Sequence, residues 1–223
     1  NKYGKATDRP KYSKPLPEGL TAKHVLDGYI KAIGGRVKLE AIKTKFTIAE
    51  ASMQGTTIQV SNRQTYKKQM RVEVNMMGNV LQKMVINSTK GYKEMQGKKM
   101  EIRGKEFKNA LNDATLFPEL EIDSEQLKLE RIVVVDGKDA YEIKWSENKT
   151  IFYAVDGFLK VQKLEVIEMQ GQTQSSRTSF SNYKPVGGIL FPYTFQQDVG
   201  MQKLDFQVKS ISLNEPMNDN LFE

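Results

Sequence analysis

The chain has 223 residues, 39% hydrophobic and 27% charged, which is the balance of an ordinary globular protein and excludes wholesale disorder or a membrane bundle. With no cysteine and one histidine, disulfides, thiolate metal sites, two-histidine zinc sites and thiol nucleophiles are ruled out. The net charge of +7 comes from 34 basic and 27 acidic side chains that are mostly interspersed, a pattern that argues against nucleic-acid binding and leaves only a weak attraction to anionic membrane surfaces.

Residues 1–19 hold Pro10, Pro15 and Pro17 among several lysines and read as a linker from an upstream region. Starting at Asn1 without an initiator Met, the sequence reads as an excised or processed product. Residues 20–35 then carry the clearest helical periodicity. Val25, Leu26, Tyr29, Ile30 and Ile33 fall on one stripe, and Lys23, Asp27 and Lys31 fall opposite. Thr21 is placed to cap the first turn, Gly34 and Gly35 to close the last, and Gly28 costs the helix about 1 kcal/mol relative to Ala. A second amphipathic turn carries Val37, Leu39 and Ile42.

Nearly everything that follows reads as antiparallel strand. TKFTIAEASMQ and TTIQVSNRQT flank Gly55 as a hairpin, and Met70, Val72, Val74 and Met76 alternate with polar neighbours. Turns are expected at Gly78-Asn79, Lys90-Gly91, Asp136-Gly137 and Asp156-Gly157. Between residues 102 and 126 the alternation breaks. Phe107, Ala110 and Leu111 suggest a short helix, LFPEL an irregular turn, and the two pieces together a lid. Pro192, which cannot donate to a ladder, places its strand at a sheet edge or at its own start, and Asn214, Asn218, Asp219 and Asn220 read as a turn and a loose C-terminus. The expectation from these elements is a strongly curved antiparallel sheet with the first helix in its concavity.

Chemistry-bearing residues are sparse. His24 reads as a solvated residue of the first helical turn, and Glu119, Glu121, Asp123 and Glu125 as a solvated acidic face, since they lack the glycine turn and ligand spacing of a calcium loop. No nucleophile has a histidine partner, and no phosphate-binding glycine loop occurs, so the chain reads as no enzyme, with no metal and no cofactor. What stands out is soft apolar material: 10 methionines, with Met70, Met76 and Met84 on neighbouring strands, and aromatics including Tyr141, Trp145 and Phe152 on later ones. One reading is an ordinary β core. The other is an apolar cavity between helix and sheet, lined by Tyr29, Ile33, Met70, Met76, Met84, Tyr141, Trp145 and Phe152.

Certain motifs carry a resemblance. YIKAIGG closing the first helix, FPEL in the interruption, NYKPVGGILFP at residues 182–192 and SLNEPMNDNLF at the end together resemble outer-membrane lipoprotein-carrier proteins of the LolA/LolB-like class. That resemblance implies a mainly β fold with a few helices (α+β), an incomplete barrel at residues 20–223 wrapped around the N-terminal amphipathic helix, with an apolar cavity for acyl chains. NKYGKATDRPKY followed by PLPEGLTAKHVLDGYIKAIGG is also similar to the C-terminal extension of insulinase-like (pitrilysin-type) zinc peptidases of Bacteroidetes-type bacteria. The second resemblance implies upstream peptidase domains and a periplasmic or outer-membrane-associated location. It carries no peptidase activity to these residues, which lack the inverted zinc motif. Two functions follow as expectations: a non-catalytic envelope domain that binds a lipid, an acylated peptide or another apolar molecule, with peripheral membrane contact, or an accessory domain that docks a peptidase and has no ligand of its own.

Overall fold

A computed structural model describes residues 13–169, 172–199 and 202–223 of the chain. The first twelve residues of the expected linker lie outside this set. Its remainder includes Ser13–Lys14 (β1), which pairs with a later strand, and Leu16, which packs against the core.

Two helices follow, Ala22–Ile33 (α1) and Arg36–Glu40 (α2). α1 forms where its periodicity predicts. Thr21 caps it in a reciprocal arrangement, its hydroxyl accepting from the His24 backbone while His24 Nδ1 accepts from the Thr21 backbone at 3.3 Å. His24 is therefore exposed, as expected, but it also holds the helix start. Gly34 ends α1 with φ 143°, and a Cβ there would come within 2.9 Å of the Gly188 carbonyl, so the turn needs glycine. In α2, Leu39 is buried but Val37 is 82% exposed, contrary to expectation; a five-residue helix turns only one narrow side inward.

The strands are Thr44–Met53 (β2), Thr56–Thr65 (β3), Gln69–Met76 (β4), Asn79–Ile86 (β5), Gly91–Met95 (β6) and Lys98–Ile102 (β7). After the helix Gly104–Asp113 (α3) and two 3-10 turns, Pro118–Leu120 and Ser124–Gln126, the strands resume. These are Lys128–Val135 (β8), Lys138–Ser146 (β9), Lys149–Ala154 (β10), Lys160–Met169 (β11), Gln172–Val186 (β12), Ile189–Val199 (β13) and Gln202–Leu213 (β14).

All of them join one antiparallel sheet of 14 strands in the order β1-β8-β9-β10-β11-β12-β13-β14-β2-β3-β4-β5-β6-β7. The fold is thus mainly β with few helices, and the sheet is not closed. Two meanders are joined where the last strand, β14, meets the first long one, β2. Residues 103–127 therefore lead from one edge of the sheet to the other.

Tight hairpins form at Gln54-Gly55, Met77-Gly78, Gln96-Gly97 and Asp136-Gly137, each with both residues at positive φ as a type I′ turn requires. The β4–β5 turn is thus Met77-Gly78, one residue earlier than expected, and Asn79 already pairs with Met76. Gly91 lies inside β6, because Asn87 organises the preceding turn by accepting from Thr89 and Lys90. Asp156-Gly157 belongs to a longer connection that also includes Phe158 at φ 56°. Pro192 sits in an interior strand rather than at an edge of the sheet. It is tolerated because β13 pairs only with β12 there, its ladder to β14 starting at Thr194. The C-terminus is anchored, not loose: a 3-10 turn, Asp219–Phe222, buries Phe222 to 1% exposure.

Candidate functional site

Alternation along each strand divides the sheet into a face that meets the helices and an outer face. On the helix face three zones follow one another. In the first, the stripe of α1 is buried among Ile132 of β8, Tyr141 and Ile143 of β9, Ile151 and Tyr153 of β10, and Ile189 and Phe191 of β13. In the second, α3 lays Phe107, Ala110 and Leu111 on Met70, Ile86 and Ile102.

The third zone is built by strands alone. Ala49, Ala51, Ile58, Phe206 and Val208 form its buried floor, edged by half-buried Met53, Val60, Val74, Met76, Tyr193, Phe195 and Leu204. The register explains its shape. Val208 and Val60 flank Ala49, Ile58 flanks Ala51, and Phe206 faces Phe195 with ring centroids 4.8 Å apart. Two alanines between larger neighbours make a shallow trough along β2. Near its Met53 end lies a hollow of about 250 Å³ lined by Ser52, Met53, Gln54, Lys203 and Leu204, more polar than apolar.

The eight residues expected to line one cavity are distributed over this arrangement. Tyr29, Ile33, Tyr141 and Trp145 belong to the core beneath α1, Met70 and Met84 to the zone under α3, and Met76 to the trough. Phe152 points to the outer face, where it packs with Val133 and Ala140; its parity within β10 is opposite to that of Ile151 and Tyr153. Beneath α1 the helix stripe packs on buried side chains of the sheet. The hollow beside α1, of about 80 Å³, is flanked by Lys23, Asp27 and Glu119 and is not apolar.

A buried polar group lies at the α1 end of the trough. Glu119, expected on a solvated face, is 5% exposed and ion-paired to Lys160, whose ammonium also stands 5.2 Å from the Tyr29 ring. The pairing offsets the penalty of burying the carboxylate. Its sequence neighbours do stay outside, Glu121 pairing with Lys68 at 2.7 Å and Asp123 capping the next turn. Tyr29 meets Tyr153 edge-on at 5.2 Å. Burial pushes the phenols of Tyr29, Tyr153 and Tyr183 up, and the nearby Glu119 charge adds to this. Trp145 Nε1 and Tyr153 Oη are buried without completing a hydrogen bond.

Lys45 approaches this group from β2, its ammonium 6.0 Å from the Phe117 ring. Burial, and then repulsion from Lys160, pull its pKa down to about 8, with Glu119 partly compensating. Lys45 shares its face with Ala49 and Ala51, a phase readable in TKFTIAEASM. The pairing of Glu119 with a strand more than forty residues later left no such signal. Among the described residues, no cluster of three or more metal-ligating side chains occurs, and no helix is long and apolar enough to cross a membrane.

Several solved structures share the architecture. A LolA superfamily protein from Nitrosomonas europaea superposes with a TM-score of 0.57 at 9% identity, over 92% of this chain and 98% of that one. A DUF1329 family protein from Desulfovibrio piger gives 0.57 at 11% identity, over 91% and 97%. A domain assigned to outer-membrane lipoprotein sorting, from Vibrio parahaemolyticus, gives 0.56 at 9% identity, also over 91% and 97%. No family profile matches the chain, and no curated protein matches it. The chain therefore has the fold these structures share, a likeness of architecture at very low identity.

Proposed function

We propose that this chain is a non-catalytic cell-envelope domain that holds an apolar chain, of a lipid or an acylated peptide, in the trough of β13, β14, β2, β3 and β4. The observation that carries the reading is the strand-only patch: a run of aromatic, aliphatic and methionine side chains, half-buried, over a floor of two alanines. The periplasmic or outer-membrane location, and acylated peptides as a ligand class, are supported by the shared fold, one of whose representatives is assigned to lipoprotein sorting.

An incomplete barrel is part of the proposal. The core cluster that includes the α1 stripe also takes side chains from β8 through β10 and from β12 through β14. Laid flat, those strands would span about 29 Å at ~4.8 Å per gap, wider than the ~18 Å length of a 12-residue helix. A sheet curved around α1 brings both sides within reach.

A second reading is favoured by the packing of the α1 stripe on buried side chains of the sheet. In it the chain is a docking domain for upstream domains of a longer protein, in the zinc-peptidase context that the N-terminal resemblance implies, and binds no ligand itself.

Titration with a fluorescent fatty-acid analogue, followed by displacement with unlabelled ligand, separates the two. Saturable, displaceable binding that is lost in Met76→Glu and Phe195→Glu, and kept in Val166→Glu, an exposed position with the outer-face parity of Leu164, supports the trough. Absence of displaceable binding leaves the docking reading.

A further inference from the structure

We propose, resting on the trough reading above, that the bound chain ends in an anionic head group and that Lys45 is its ion-pairing partner. Lys45, Thr47, Ala49, Ala51 and Met53 alternate onto one face of β2 with no register break against β3. The ammonium and the alanine floor thus belong to a single lane, about 26 Å from end to end at ~3.3 Å per residue. Its outer end opens at Met53 and its inner end passes under Phe117.

Charge accounting singles out Lys45. On the same face Lys160 is paired with Glu119, Lys149 with Asp113 and Glu165 at 2.9 Å each, and Lys163 with Glu165 at 2.7 Å. Among the described residues, Lys45 has no carboxylate within ion-pairing distance. The inner group formed by Lys45, Lys160 and Glu119 therefore carries one net positive charge in a half-buried place. An ammonium removed from water without an anion is costly, and the burial that drags its proton affinity down registers that cost. An anion delivered with an apolar chain would relieve it, and it would fix the direction in which the chain lies: head inward at Lys45, tail outward over Ala49 and Ala51.

The unexceptional alternative is that Lys45 merely packs its stem on Phe117 and extends its ammonium toward water. Competition titrations at pH 7, using the whole chain, distinguish the two. The competitors are hexadecanoate, a lysophosphatidate of matched chain length and hexadecanol, each displacing the same neutral fluorescent alkyl probe. If Lys45 clamps an anion, at least one of the two anionic amphiphiles binds about tenfold or more tighter than the alcohol, as expected for a charge-assisted contact. Which of them gains more tells a carboxylate head from a phosphate head. Lys45→Gln should abolish the advantage while leaving hexadecanol binding unchanged, and that unchanged binding shows that the variant is folded. Lys45→Arg should retain it. Equal binding of acid, phosphate and alcohol, or an advantage that survives Lys45→Gln, overturns the head-group assignment and leaves the trough standing. Failure of all three amphiphiles to compete sinks the trough reading itself.

Discussion

A lysine held near Phe117 and Lys160 has a thermodynamic signature of its own. The amine of Lys45 has a pKa of about 8 in the folded chain, against its ordinary 10.5. Between those values the unfolded chain binds more protons than the folded one, so this residue makes stability rise with pH across the window. At ~1.4 kcal/mol per unit, reduced because the side chain keeps some contact with water, its charge costs the fold about 2 kcal/mol at neutral pH. Lys45→Met should therefore be the more stable protein in urea at pH 7, with the gap narrowing toward pH 10. Tyr29, Tyr153 and Tyr183, whose phenols are pushed up, act in the opposite direction only above their ordinary 10. Equal stability of parent and variant at pH 7 would show that the ammonium is well solvated. Gly28 offers a second residue-scale test. A Cβ there would fall 2.7 Å from the ring of Phe158, which stacks on Tyr141 at 6.0 Å. Ala in a helix interior normally gains about 1 kcal/mol over Gly, but here the clash should turn that gain into a loss of about 1–3 kcal/mol. Phe158→Leu should recover part of the loss in chemical denaturation.

α1 is the element whose sequence says most about the fold, since every residue of its predicted stripe is buried. Replacing Ile30, 5% exposed, by Asp puts a charge into that core and should cost several kcal/mol, read as an earlier denaturant midpoint. The same helix offers a test of where the proposed ligand lies. Trp145 lies against the core beneath α1 and not in the trough, so its emission should stay nearly constant while an apolar chain fills the trough. A large emission shift on binding would instead put the ligand between α1 and the sheet. Alternation in QMRVEVNM likewise put Met70, Val72, Val74 and Met76 on one face from sequence alone. Alternation does not state which stretch of an inward face a helix will cover, and so Met70 and Met76, six residues apart, ended in different zones. Phe152 illustrates the complementary limit. In β10 the four residues Ile151–Ala154 are all apolar, so parity carries no contrast there, and the pairing of Tyr153 with Tyr141 tells which residues point inward.

At the scale of the whole molecule, the join between β14 and β2 has to hold two meanders together, and the chain's last residues reinforce it. After β14 the backbone crosses to the outer side of β4–β6. There Lys67 pairs with Asp219 at 3.0 Å, Arg71 donates to the Leu221 carbonyl, Asn87 to that of Phe222 and Tyr92 to that of Glu223. Asn214, Asn218, Asp219 and Asn220 gave the reading of a turn and a loose C-terminus by composition. What composition missed is that single anchor, Phe222, together with four partners in β4, β6 and the turns beside them, more than a hundred residues earlier. Exposed ion pairs contribute little, so the buried ring should dominate the energetics. Phe222→Ala is expected to cost about 3–5 kcal/mol, the range for losing a buried aromatic. Lys67→Ala should shift the denaturant midpoint far less than Phe222→Ala, because that pair is exposed on both sides. Because the tail bridges β14 to β4–β6, its loss should loosen the N-terminal meander first. Amide exchange in Phe222→Ala should therefore speed up in β4–β6 before β9–β11, whose packing against α1 does not involve the tail. Uniform acceleration across both meanders would mean that the sheet unfolds as one unit and that the tail adds stability without joining its halves.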